Sequence, residues 1–312
     1  EIPMLLHERP LRVLNICFGV GNSLSSVSMH PVERIDSVEL SPGVVDAAPF
    51  FASTNRDVLS DRRIHMTIAD GRNFLLLSRD KYDIIRLDPP ELHTAGVVNL
   101  YTKEFYELAR DHLAPGGIFS IWVNVVMTPE EDLKHLVRTL NGVFPYVSVW
   151  HGPLYYSWVI NGSMTPHDPD LERLVKKFTD PKIRSDMESI GVNDPFAFLS
   201  HFVFAGDDVK AWYGDGPIVT DDRTRLDFTV PRSLDSSYGF ANANTDSWMA
   251  DQMEQNLAVK TFFRKIQQMN AHKKPVLPHL ANVEGAGFTQ DQVRERMAAQ
   301  AEAAAKKPVT TA

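Results

Sequence analysis

From residue 11 to about residue 160 the chain repeats one pattern: a short run of β-branched and aromatic residues, then a stretch with apolar positions three or four apart. A short apolar run bounded by turn formers reads as a buried strand, and the wider spacing reads as a helix lying over it. The pattern predicts strands at Leu11–Cys17, Ile35–Leu40, Ile64–Ala69, Tyr82–Leu87 and Gly117–Val123. Helices are predicted between them at Pro42–Ser53, Arg72–Ser78, Lys103–His112 and Pro129–Asn141. "LAPGG", Leu113–Gly117, stops a helix and turns the chain into the next strand. Two further runs, Tyr146–Trp150 and Tyr155–Ile160, flank "HGPL" and read as an antiparallel hairpin.

Alternating strands and helices specify a parallel sheet covered by helices. A hairpin at its end, in place of another parallel strand, predicts an α/β fold of the class I methyltransferase-like, Rossmann-like kind: a seven-stranded, mostly parallel sheet closed by an antiparallel hairpin. After Thr165 the texture changes. "TPHDPDLERLVKKF" and "FAFLSHFVF" read as helical, and "PIVTDDRTRLDFTVPRSL" as a loop with a short extended piece. Beyond Asp235 the sequence is polar, with helices expected at Thr245–Met269 and Gln290–Lys306, the latter opened by the capping box "TQDQ". The expected organisation is a nucleoside-binding domain over 1–163, a helical extension over 164–235 and a polar helical arm over 236–312.

Composition narrows the classes little. The 32 basic and 40 acidic side chains give a formal charge of −8, which argues against a nucleic-acid partner and suits a cationic substrate. One cysteine, Cys17, rules out an internal disulfide framework and fits a reducing compartment; at the end of an apolar strand it reads as an inert buried thiol. The 11 histidines show no ligand spacing, so no metal is expected. No apolar run approaches the ~20 residues of a spanning helix. "EIPMLLHERP" lacks the basic start and apolar core of a signal peptide, and Glu1 in place of Met leaves room for a preceding region.

Candidate chemistry gathers at strand ends. "VLNICFGVGNS", Val13–Ser23, is a strand running into a glycine turn, where Gly19 and Gly21 let a ligand approach the backbone. A tight strand-to-helix turn is the competing reading of the glycines alone. Glu39 ends the second strand, twenty positions after Gly19, where a carboxylate can accept both ribose hydroxyls. "ADGRNF" puts Asp70 and Gly71 at the end of the third strand, where an acid can receive an adenine amino group. No pyrophosphate partner is evident, so an adenosyl group with a small charged tail fits better than a dinucleotide. "LDPPEL" places Asp88 and Glu91 on a proline-stiffened turn at the end of the fourth strand; a solvated turn with helix-capping acids is the plainer reading.

"VELSPGVVDAAPFF", "DGRNFLLLSRDKYDII" and "AGVVNLYTKEFYELARDHLAPGGIF", in that order, resemble the spermidine synthase family of polyamine aminopropyltransferases over roughly residues 4–235. "MLLHERPLRVL", "AGVVNLYTKEFY" and "TDDRTRLDFTVPRSL" are most similar to a bacterial branch whose domain is fused behind a membrane region. The resemblance implies decarboxylated S-adenosylmethionine, or S-adenosylmethionine itself, as co-substrate, and aminopropyl transfer to a diamine nitrogen. By position it implies Gly19 and Gly21 as the glycine turn, Glu39 as the ribose acid and Asp70 as the adenine-side acid. Asp88 and Glu91 take the places of the two acids of the family's Asp-Ser-Ser-Asp-Pro motif. Asp88 would then orient the amine and accept its proton, and Glu91 would anchor the substrate's charge.

Departures from the family pattern are Cys17 for its first glycine, bulky Phe18 beside it, Asp-Pro-Pro-Glu-Leu for its acidic motif, Ile121 for a glutamine before Trp122, and Pro49 within a helix. No counterpart of the family's β-rich N-terminal segment precedes the first strand here, so an incomplete diamine pocket is expected. Three functions follow: a transferase moving an aminopropyl or methyl group from an adenosyl sulfonium, a degenerate scaffold or binding subunit of a membrane-associated complex, or an unrelated nucleotide-binding enzyme. The expected partners are a small cationic amine and, through 236–312, a membrane protein or a second copy. The expected location is the cytoplasm, at a membrane face if a partner or preceding region holds it there.

Overall fold

The computed structural model describes residues 1–125, 128–152 and 157–233. In chain order its elements are α1 (Ile2–Leu6), β1 (Arg12–Ile16), α2 (Asn22–Ser28), β2 (Arg34–Glu39), α3 (Pro42–Ala47), α4 (Ala52–Asn55), β3 (Ile64–Ile68), α5 (Gly71–Leu77), β4 (Tyr82–Leu87), α6 (Lys103–Asp111), β5 (Leu113–Asn124) and α7 (Glu130–Val143). Then come β6 (Tyr146–His151), β7 (Ser157–Ser163), α8 (Leu171–Phe178), α9 (Pro181–Ser189), α10 (Pro195–Leu199), β8 (Phe202–Ala205), α11 (Asp207–Tyr213) and α12 (Leu226–Ser233). The sheet order is β3-β2-β1-β4-β5-β7-β6-β8. β1 to β5 run parallel, while β7 inserts antiparallel between β5 and β6. The closing hairpin is therefore as the sequence predicts.

Three elements depart from the sequence reading. The described sheet has eight strands, because part of "FAFLSHFVF" pairs antiparallel with β6 as β8. An apolar run of that length suits helix and strand equally. Here Asp194 caps α10 through Phe196 and Ala197 amides, and the chain then turns into the free edge of β6. The helix expected over 42–53 breaks at Pro49 into α3, a 3-10 turn at Ala48–Phe51, and α4. After an isolated bridge between Thr220 and Arg223, residues read as extended form α12 instead. The arm at 236–312 lies outside the described residues.

Strand alternation divides the core between two faces. On one, Phe119 of β5 stacks on Phe144 at 5.5 Å and meets Phe105 and Tyr106 of α6 edge-on. On the other, Trp150 of β6 stacks on Phe198 of α10 at 5.0 Å, which fixes the extension against the sheet. Each such ring contributes about 1.5–3 kcal/mol by burial.

The second face also carries a buried polar row. Ser37, Asn15, Arg86, Ser120, Asn161 and Ser148 are register partners in succession across β2, β1, β4, β5, β7 and β6. Asn15 Nδ2 donates to Ser37 Oγ at 3.3 Å, Arg86 Nη1 to Asn15 Oδ1 at 2.9 Å, and Asn161 Nδ2 to Ser148 Oγ at 3.5 Å.

Candidate active site

The carboxyl end of β1 is the hub. Cys17 holds a left-handed backbone (φ 69°), as do Gly19 (φ 58°) and Gly21 (φ 85°), so the turn coils tightly into α2. A β-carbon on Gly19 would meet nothing within 4 Å, leaving that backbone open to a ligand. One on Gly21 would lie 2.7 Å from Phe18 Cζ. Phe18 is 4% exposed, its ring turned into the core beneath Gly21, and so the bulk that the sequence places in the turn does not project from it.

Three acids from neighbouring strand ends surround Cys17. Burial, then the charges of Glu39, Asp88 and Asp70, push its thiol up to about 12, leaving it unreactive at neutral pH. Glu39 Oε2 accepts from the Phe18 amide at 2.8 Å and Oε1 from the Ser41 amide at 2.9 Å. A carboxylate offers about four lone-pair positions, so two remain for a diol. Asp70 caps α5, accepting from the Asn73 amide at 2.8 Å, and its side chain reaches the surface. Gly71 is buried against β1.

Asp88 follows β4, its amide donating to Ile16 O at 3.2 Å and its Oδ2 accepting from Ser23 Oγ at 2.6 Å. Glu91 stands across the Pro89–Pro90 turn, where Oε1 accepts from Asn124 Nδ2 at 3.0 Å at the end of β5. Tyr101 lies beneath both: it is buried, donates to Trp122 O at 2.9 Å, and its phenol is pushed up by burial and by neighbours that include Cys17, Asp88 and Glu91. The structure thus gathers Gly19, Gly21, Glu39, Asp70, Gly71, Asp88 and Glu91 at one end of the sheet. Sequence reasoning missed Ser23, Tyr101 and Asn124. It also missed Arg72, whose guanidinium pairs with Asp221 at 2.9 and 2.5 Å and ties the segment before α12 to the start of α5.

A cavity of about 310 Å³ opens from Asp88 on the face that carries the polar row. Asn22 and Ser23 of α2, Arg86 and Trp122 line one side, and Met187, Ile190, Phe198 and His201 of the extension line the other. Among the described residues no three His, Cys, Asp or Glu side chains are grouped to hold a metal ion, and no helix is long and apolar enough to cross a membrane.

The sheet order and the acids gathered at its carboxyl end define an α/β protein of the methyltransferase type. A profile described as "Spermine/spermidine synthase domain" matches residues 1–172. The polyamine aminopropyltransferases of Sodalis glossinidius (strain morsitans) and Erwinia tasmaniensis are 31% and 32% identical over 178 residues, 56% of this chain. The chain spans 62% of those relatives' length. Among solved structures, a spermidine synthase in complex with the transition-state analogue AdoDATO is similar at a TM-score of 0.55 and 26% identity, covering 69% of this chain and 71% of that one. The Thermotoga maritima spermidine synthase gives 0.54 and 25% over the same shares. The chain belongs to the spermine/spermidine synthase family.

Proposed function

We propose that this protein binds an adenosyl sulfonium donor, decarboxylated S-adenosylmethionine or S-adenosylmethionine, and transfers an aminopropyl-type group to the nitrogen of a small amine, a polyamine in the family's manner. The observation that carries this reading is the convergence of Glu39, Asp70 and Asp88 on the open turn at Cys17–Gly21. Glu39 would take the ribose hydroxyls with its spare lone pairs, Asp70 the adenine edge, and Gly19 and Gly21 the close approach of the sugar. Gly71 would keep Asp70 near β1. A spermidine synthase similar to this chain has been solved in complex with the transition-state analogue AdoDATO, which supports an adenosyl ligand.

In the reaction the acceptor nitrogen attacks the carbon beside the sulfonium. The C–N bond forms as the C–S bond breaks, and the thioether nucleoside leaves. The acceptor enters as an ammonium and must lose a proton before it attacks. Asp88 would orient it and take that proton, with Ser23 fixing the carboxylate's direction. Glu91, held by Asn124, would anchor positive charge one turn on. For residues 236–312 the proposed role is docking on a partner protein or a second copy, through apolar positions such as Trp248, Met249, Met253 and Leu257.

The test is ligand-dependent thermal stabilisation with decarboxylated S-adenosylmethionine, S-adenosylmethionine and methylthioadenosine, followed by mass detection of the transferred group. A ligand at a hundredfold its Kd stabilises by ~2.7 kcal/mol. Asp88→Asn should keep donor binding and lower turnover by about 10²–10⁴-fold. Stabilisation by none of the three ligands would reject the donor site. Binding of all three with no transfer to any amine would identify a binding subunit.

A further inference from the structure

Arg86 has no role in the reaction just described, yet it sits on the floor of the cavity beside Asp88. Its side chain is only 11% exposed, and burying a guanidinium is costly unless its charge and donors are matched. Within the described residues its match is partial. Nη1 donates to Asn15 Oδ1 at 2.9 Å. Nη2 stands 3.7 Å from Asp88 Oδ2, near enough to attract and too far to hydrogen-bond. A guanidinium offers five N–H donors in a planar fork suited to a carboxylate. Membership of the polar row explains the bond to Asn15 and leaves the rest of the fork, apart from the ion pair with Asp88, without a hydrogen-bond partner among the described residues.

We infer that the Arg86–Asp88 pair recognises an α-amino-acid head group, with the ligand's ammonium on Asp88 and its carboxylate on Arg86. In such a head group the nitrogen and a carboxylate oxygen lie about 3 Å apart by ordinary backbone geometry, which matches opposite charges 3.7 Å apart on the protein. A plain diamine leaves the arginine unmatched and brings a second cation toward it.

Two ligands could supply this head group: the methionine tail of an intact S-adenosylmethionine donor, or an amino-acid acceptor. The cavity wall allows both. Asn22 and Ser23 continue directly from Gly21, as a donor tail would need, and Met187 and Phe198 offer an apolar bed for an acceptor's chain. The donor source rests on the adenosyl reading given above and gives Asp88 to the donor's ammonium in place of the acceptor's, so that Asp88→Asn would then weaken donor binding. The acceptor source does not rest on that reading and keeps Asp88 on the acceptor.

The experiment is calorimetry with pairs of ligands that differ only in the carboxylate. For the donor source the pair is S-adenosylhomocysteine and its decarboxylated form, with methylthioadenosine as the common control. For the acceptor source the pairs are ornithine against putrescine and lysine against cadaverine. The carboxylated member of one set should bind at least tenfold more tightly, and Arg86→Met should erase that preference without altering methylthioadenosine affinity. Should Arg86→Met fail to fold, the pairs on the unaltered chain decide by themselves. Equal or tighter binding of the decarboxylated members in both sets overturns the inference, as does no binding of any carboxylated ligand. If no nucleoside binds but ornithine exceeds putrescine, the adenosyl reading fails and the head-group site stands.

Discussion

Gly71 lies so close to Ile16 that a β-carbon on it would come within 2.3 Å of the Ile16 Cγ2 atom. Ile16 is 2% exposed and ends β1, so the start of α5 is pressed directly onto the strand that leads into the glycine turn. Gly71→Ala should force the two apart and lower stability by about 1–3 kcal/mol, the usual cost of overpacking. Because Asp70 caps the same helix, affinity for methylthioadenosine should fall with it. Chemical unfolding and calorimetry read the two effects; a variant as stable as the parent would show that the contact yields freely.

Glu39 joins three elements through one carboxylate, accepting from Phe18 and Ser41 while closing β2. Glu39→Ala should weaken methylthioadenosine binding by about 1.5–3 kcal/mol, the range for hydrogen bonds to a charged group. Glu39→Gln should lose less, since one oxygen remains. Equal affinity of all three proteins in calorimetry would move the nucleoside elsewhere.

Cys17 adopts a left-handed conformation that costs a residue with a side chain roughly 1–2 kcal/mol, part of which glycine's greater chain entropy takes back. Cys17→Gly should therefore raise stability by about 0.5–1 kcal/mol, and tighten adenosyl ligands if the thiol crowds the turn. A less stable variant would mean that the thiol's packing outweighs its backbone strain.

His167 bridges two strands. Its Nδ1 lies 2.6 Å from Ser163 Oγ and its Nε2 2.8 Å from Ser148 Oγ. Ser163 donates to Thr165 O, so Nδ1 carries the ring proton and Ser148 donates to Nε2. Burial, opposed by Asp168, holds the imidazole down to about 4, and His151 is likewise held near 4 by burial and His201. Unfolding restores the ordinary value, so between about pH 6.5 and 4 the unfolded chain binds protons that the native chain refuses. Stability should fall as pH drops through that window, by on the order of 3 kcal/mol for each histidine. His167→Gln should be less stable at pH 8 and show a shallower fall below pH 6.5. The same slope as the parent would remove His167 from the acid response.

Much of this architecture was legible because each β1–β5 strand is a β-branched run bounded by turn residues, and the hairpin followed from two such runs around "HGPL". The glycine turn and its acids were legible too, since their positions at strand ends follow once the strands are placed. β8 was not, because "FAFLSHFVF" has the hydrophobicity of either element and only the free edge of β6 decides. Phe18 stands among the departures from the family pattern by its bulk alone, because sequence gives a side chain's size and not its direction. Arg86 passed unnoticed as one polar residue in "YDIIRL"; its meaning depends on register with Asn15 and Ser120, which no single strand displays.

The row from Ser37 to Ser148 has a consequence for how the sheet assembles. Polar side chains meet at one level in six strands, each aligned with the next by pairing. A slip of one residue in any strand turns its polar member to the opposite face, among rings such as Phe119 and Phe144, and strands an amide or guanidinium there without partners. A slip of two returns it to the proper face at the wrong level. The row thus works as an alignment mark, penalising misregistered sheets more heavily than an all-apolar interior of equal area would.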